Sequence, residues 1–134
     1  MGKIYLDTNL YIYYFENNPE FSKKVEYILT ESVSSNIQVI ASPLVFTELL
    51  AGPIRDKNSK LVKIYSQLPN ILTNIIISDF DLSTSITTAH LRATYHLPIP
   101  DCIHLATALQ SECDQYCTSD KNLKQVKEIK VALV

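Results

Sequence analysis

Five short runs of apolar and β-branched residues, at about residues 3 to 7, 37 to 41, 75 to 77, 115 to 118 and 129 to 134, are separated by stretches with helical periodicity. Phe21, Val25, Ile28 and Leu29 fall on one helical face; so do Leu61, Ile64, Tyr65 and Leu68, and again Leu82, Ile86, Ala89 and Ala93. Strands separated by helices pair in parallel, with the helices on both faces of the sheet. The order therefore predicts an α/β fold, a three-layer α/β/α domain around a mainly parallel central sheet. At 134 residues this is one domain, spanning 1–134, and a domain near this size buries roughly two thirds of its unfolded surface.

Local punctuation refines the reading. Asn9 to Phe15 reads as a helical turn or two, and Ser42-Pro43 supplies an N-cap and first-turn pair for a helix over Leu44 to Ala51 that Gly52-Pro53 ends. A long helix from Asp81 to about His96 is stopped by Leu97-Pro98-Ile99-Pro100, and Asp101 begins the next, rich in strong helix formers. A short helix follows Asp120. No basic segment followed by an apolar one opens the chain, and no apolar run is long enough to span a bilayer, so neither a signal peptide nor membrane association is expected. The cysteines, Cys102, Cys113 and Cys117, are odd in number and lack zinc-site spacing, which predicts reduced thiols in a cytoplasmic protein.

Four acids stand beside apolar segments: Asp7, Glu48, Asp101 and Asp120. Asp7 and Asp120 follow strands, and in open parallel sheets ligands bind outside the carboxyl ends of the strands. Glu48 and Asp101 would reach the same crevice from helices. Carboxylates clustered there suit Mg2+ or Mn2+, hard ions that take oxygen ligands and keep waters. Two such ions can stabilise both the attacking and the leaving oxygen at phosphorus, which makes phosphodiester cleavage the indicated chemistry. Each acid also has a structural reading. Asp7, Thr8 and Asn9 are good helix N-caps, Asp101 is favoured by a helix dipole, and Asp120 can cap the short helix behind it. Glu48 fits a structural reading least, because it interrupts the apolar stretch Leu44 to Ala51, where an unpaired charge is costly.

The segments Tyr5-Leu6-Asp7-Thr8-Asn9, Ser42-Pro43 through Glu48 to Gly52, Leu97-Pro98-Ile99-Pro100-Asp101-Cys102-Ile103-His104, and Thr118-Ser119-Asp120 follow one another in an order that resembles PIN domains. Within that family the chain is similar to the VapC-type toxins of bacterial toxin–antitoxin pairs. The resemblance implies an endoribonuclease that hydrolyses RNA by metal-activated water, with Asp7, Glu48, Asp101 and Asp120 as the catalytic, metal-holding acids. It implies Mg2+ or Mn2+ as cofactor, and Thr8, Asn9, Thr118 and Ser119 as supporting or substrate-contacting residues. It also implies a small antitoxin partner and a homodimer. Two departures stand out: Cys102 where alanine is usual, and His96 where a turn residue, often glycine, is usual.

Other residues carry two readings. His104, three positions after Asp101, is either a metal ligand or, since hard ions prefer oxygen, a hydrogen-bonded helix histidine. Tyr11, Tyr14 and Phe15 form a stripe suited to base stacking, a core or an interface, and to an antitoxin helix if exposed. Arg92 reads as a phosphate contact or a structural salt bridge. A net charge of −2 excludes non-specific coating of nucleic acid but leaves room for a local patch of Lys57, Lys60 and Lys63, with Arg55 ahead of it and Lys121 and Lys124 elsewhere. Three rival functions remain: an RNA-processing nuclease of the same type without an antitoxin, a phosphoacceptor domain, and a non-catalytic binding module.

Overall fold

The computed structural model describes residues 2–134. Its strands are β1 (Lys3–Leu6), β2 (Gln38–Ala41), β3 (Ile75–Ile77), β4 (Gln115–Thr118) and β5 (Lys130–Leu133), in the spatial order β3-β2-β1-β4-β5. Every pairing is parallel. The chain builds outward from β1 to β3, then crosses back to place β4 on the other side of β1. That reversal puts a topological switch point between β1 and β4, where a crevice opens at the strands' carboxyl ends.

The helices are α1 (Thr8–Phe15), α2 (Ser22–Ser34), α3 (Pro43–Arg55), α4 (Ser59–Ser66), α5 (Leu68–Ile71), α6 (Leu82–Tyr95) and α7 (Ile99–Gln110), with a 3-10 turn at Lys121–Gln125. Burial on both faces explains why the central strands read as continuous apolar runs rather than alternating ones. Tyr5 and Tyr116, register partners on β1 and β4, stack at 5.2 Å on the face that α7 covers. Ile4 and Cys117 point the other way and line an apolar groove with Ile28 of α2.

Two boundaries and one helix type depart from the sequence reading. Helix α3 continues through Gly52-Pro53 to Arg55, with Asp56 N–H bonded to the Gly52 carbonyl, so the proline removes one helical bond without ending the helix. Helix α7 starts at Ile99 rather than Asp101, because a proline in the first helical turn has no N–H bond to lose. The turn after Asp120 is 3-10. The aromatic stripe is also resolved: Tyr11 is fully buried, while Tyr14 and Phe15 pack partly buried against the core, Phe15 edge-on to Tyr65 at 5.9 Å. Tyr11 is thus core, while Tyr14 and Phe15 keep part of their surface exposed. All three cysteines are free thiols, Cys102 and Cys117 buried.

His96 closes α6 in the left-handed region, at φ 58°. Arg92 reaches this corner, its Nη1 donating to the carbonyls of His96 (3.0 Å) and Leu97 (2.7 Å), so it caps the turn and makes no salt bridge among the described residues. A side chain at positive φ is strained where glycine is not. His96→Gly is therefore expected to stabilise the protein by about 1 kcal/mol, a rise in Tm of roughly 2–4 °C for a domain this size. An unchanged or lowered melting temperature would contradict the strain argument.

Candidate active site

Register alone brings the first acid to the last strand. Leu6 pairs with Cys117, so Asp7 leaves β1 beside Thr118, and Asp7 N–H donates to the Cys117 carbonyl at 2.9 Å. The Asp7 side chain is almost fully buried, 8% exposed. Its Oδ1 accepts from Thr8 N–H at 2.8 Å and its Oδ2 from Thr118 Oγ1 at 2.7 Å. Burial pushes the Asp7 carboxyl above its ordinary pKa against the pull of these hydrogen bonds. Asp7 caps α1 as a structural reading requires, and it also sits at the switch point.

Thr118 Oγ1 accepts from Asp120 N–H at 3.1 Å, which ties the fourth acid to the first. Asp120 Oδ1 accepts from Asn122 N–H at 2.9 Å and caps the 3-10 turn, leaving Oδ2 without a partner among the described residues. Glu48 projects from α3 with 34% of its side chain exposed. Its Oε1 accepts from Thr8 Oγ1 at 2.7 Å and lies 2.5 Å from His104 Nε2. Burial pushes the Glu48 carboxyl up, but the hydrogen bonds from His104 and Thr8 outweigh it and hold the pKa below the ordinary value. Glu48 is therefore not an unpaired charge in the apolar core, as its sequence neighbours suggested: it turns toward solvent and is held by two polar neighbours.

Asp101 differs from the other three. It occupies the first turn of α7, half-buried, and its carboxylate has no hydrogen-bond partner among the described residues. Burial, then the negative charges of Asp7 and Asp120 and, more weakly, Glu48, push its pKa up from 3.8 to about 6. Those couplings place the four predicted acids in one electrostatic site. No lysine or arginine pairs with these acids: among the described residues the one ion pair made by a lysine or arginine is Arg55–Asp56. Below the acids, Tyr116 carries a buried hydroxyl without a partner, kept protonated by burial and by the charge of Asp7.

The supporting residues divide. Thr8 and Thr118 are buried and bond directly to the acids. Asn9 is exposed, and Ser119 Oγ pairs with Tyr13 Oη at 3.1 Å, tying β4 to α1 instead of entering the acid cluster. Sequence reasoning missed Tyr5, whose hydroxyl lies 2.6 Å from His104 Nδ1 and accepts from Ser42 N–H at 3.2 Å. The only signal was a hydroxyl on an otherwise apolar strand. Lys57, Lys60 and Lys63 are exposed and form no ion pair among the described residues.

The donor set suits a hard cation: oxygen donors only, an excess of negative charge, and one carboxylate with nothing else to bind. As the side chains stand, no three His, Cys, Asp or Glu residues among those described are close enough to hold one ion together. The arrangement therefore fits an ion bound by one or two carboxylates directly and by the others through water, the usual habit of Mg2+.

The sequence matches the family model described as the PIN domain over residues 4–129. No curated protein matches it. Among solved structures, VapBC-1 from nontypeable Haemophilus influenzae is similar with a TM-score of 0.75 at 17% identity, covering 98% of this chain and 97% of that one. VapBC2 from Rickettsia felis, bound to a DNA fragment from its promoter, gives 0.74 at 18% identity, with 98% of both chains covered. FitAcB from Neisseria gonorrhoeae gives 0.71 at 20% identity, covering 96% and 95%. At these identities the structures establish the shared fold, a five-stranded parallel sheet between helices. With the family model spanning nearly its whole length, the chain belongs to the PIN domain family.

Proposed function

We propose that this protein is a Mg2+- or Mn2+-dependent endoribonuclease and the toxin of a toxin–antitoxin pair. The observation that carries the nuclease reading is Asp101: a half-buried carboxylate without a partner among the described residues, its pKa raised to about 6 by burial and by Asp7 and Asp120, in a site whose acids pair with no lysine or arginine. A cluster that must hold several negative charges calls for a cation, and its place at the switch point leaves it open to a substrate. A bound divalent ion would supply Lewis acidity toward the phosphate and lower the pKa of water.

The residues of this chain supply the rest. Asp7 and Asp101 are assigned as direct ligands, Glu48 as a direct or water-mediated one, and Asp120 as part of a weaker second position. Thr118 and Thr8 fix Asp7 and Glu48 through the hydrogen bonds described above. The expected RNA products carry a 5′-phosphate and a 3′-hydroxyl. Toxin identity is supported by the structural similarity to VapBC and FitAcB proteins, and a homodimer in the cytoplasm belongs to the same reading. A small antitoxin would inhibit by inserting an Arg or Lys among the four acids, where it pairs with carboxylates and displaces the ion. The buried Tyr11 cannot serve as its docking face.

Expression of the chain alone should arrest growth, co-expression with the small protein encoded beside it should restore growth, and Asp7→Asn should be harmless in both settings. A wild-type protein that cleaves RNA yet is harmless and binds no such partner would leave a PIN-type ribonuclease and remove the toxin reading. Light scattering that shows only monomer at micromolar concentration would remove the homodimer.

A further inference from the structure

Helix α7 buries an imidazole where an aliphatic side chain would pack with no polar demand. His104 is 1% exposed and stands among Cys102, Leu105, Ala106 and Ala108. Burying such a ring is costly unless both nitrogens are hydrogen-bonded, and here both are. Nδ1 lies 2.6 Å from Tyr5 Oη, and Nε2 lies 2.5 Å from Glu48 Oε1. Thr8 Oγ1 is 3.4 Å from Nε2.

The direction of each bond follows from counting protons. Glu48 Oε1 is a carboxylate oxygen that only accepts, so the proton of the neutral ring sits on Nε2, and Tyr5 Oη, which accepts from Ser42 N–H, directs its own proton to Nδ1. Nδ1 is then the acceptor, and Nε2 carries the ring proton and donates it to Glu48 Oε1. Thr8 Oγ1 donates to the same oxygen, which leaves Oε1 with two donors and Oε2 with none among the described residues. Both ring nitrogens are occupied, so His104 is not a metal ligand.

We propose that His104 is a positioning residue: anchored by Tyr5, it holds Glu48 by Oε1 so that Oε2 remains for the cation held by Asp7 and Asp101. Glu48 needs such a hold, because it is a three-torsion side chain on a partly solvated helix face and loses rotamer freedom when fixed. A packing role alone would be met by leucine at 104 and phenylalanine at 5, with no polar groups to satisfy. A relay of Ser42 backbone, Tyr5, His104 and Glu48 instead connects the end of β2 to the acid cluster and sets the ring's tautomer, as groups behind metal ligands commonly do. The inference rests on reading the acids as cation ligands.

Two measurements test it. In metal-free protein, long-range 1H–15N spectra of the imidazole should show Nε2 protonated and Nδ1 not; the opposite tautomer would overturn the relay. Mn2+ affinity by isothermal titration should then fall about 10- to 100-fold in His104→Asn and His104→Leu, the usual cost of losing a group that orients a ligand. His104→Gln, whose amide nitrogen reaches the position of Nε2, should restore most of that loss. Metal-free melts show which variants fold, and the Asn and Gln pair decides even if the Leu variant does not. His104→Asn binding Mn2+ as tightly as wild type would overturn the proposal. A wild-type protein that bound no Mn2+ would remove the metal reading itself, and the ring spectrum, recorded without metal, separates that failure from failure of the His104–Glu48 contact.

Discussion

Cleavage of RNA in Mn2+ is expected to fall by at least about 10³-fold on Asp101→Asn, equivalent to roughly 4 kcal/mol of lost transition-state stabilisation. Metal ions commonly contribute several kcal/mol to such displacements through charge alone, and Asp101 is the carboxylate with no competing internal role. The substitution is nearly isosteric and breaks no hydrogen bond among the described residues, so circular dichroism and a cooperative melt should be unchanged in kind. Asp7→Asn should lose a similar factor but is a less clean probe. Its two oxygens accept from Thr8 N–H and Thr118 Oγ1, and an amide can accept at only one of those places. A labelled RNA incubated with each variant, with and without EDTA, checks the expectation. Cleavage that survives either EDTA or Asp101→Asn would falsify the metal mechanism.

The fold was legible because its signal is repeated. Apolar β-branched runs at 37 to 41 and 75 to 77, separated by amphipathic helices, admit few arrangements other than a parallel sheet, and β2 and β3 lie within those ranges. The four acids drew notice for a related reason, since each follows or interrupts an apolar segment; for Glu48 that reason fails in the structure, where the side chain is solvated. Boundaries at prolines were less legible, since Pro53 and Pro100 both sit inside helices whose packing and end position tolerate a missing N–H. What lay furthest from view was the hydrogen bonding behind the acids. Tyr5 and His104 are 99 residues apart, and nothing local in either segment marks them as partners. Asn9 and Ser119 show that adjacency to an acid in sequence does not set the contact: one is exposed and the other pairs with Tyr13.

Removing a charge from this site should also stabilise the metal-free protein, the reverse of the usual sign for a substitution at a half-buried polar residue. The Asp101 pKa is raised from the ordinary 3.8 to about 6. Below about pH 4 both folded and unfolded chains are protonated there, and the residue costs nothing. Between those values the folded chain retains a proton that the unfolded chain has released, so stability falls as pH rises, and above about 6 the whole cost persists. Asp7 is shifted in the same direction, whereas Glu48 is lowered and its contribution is lost only as pH falls through its depressed pKa. In EDTA, therefore, the wild type should be more stable at about pH 5 than at pH 7, and Asp101→Asn should be the more stable of the two proteins at pH 7. Screening at a half-exposed carboxylate reduces the full linkage value to about 1–2 kcal/mol, or a difference in Tm of several degrees. Saturating Mn2+ should reverse the ranking, because an ion at about 100 times its Kd adds roughly 2.7 kcal/mol to the protein that binds it and little to one lacking Asp101. Melts of both proteins across this pH range, with EDTA and then with Mn2+, give the comparison. If Asp101→Asn is the less stable protein in EDTA at pH 7, the site is not electrostatically strained and Asp101 is held by contacts that the acid cluster does not explain.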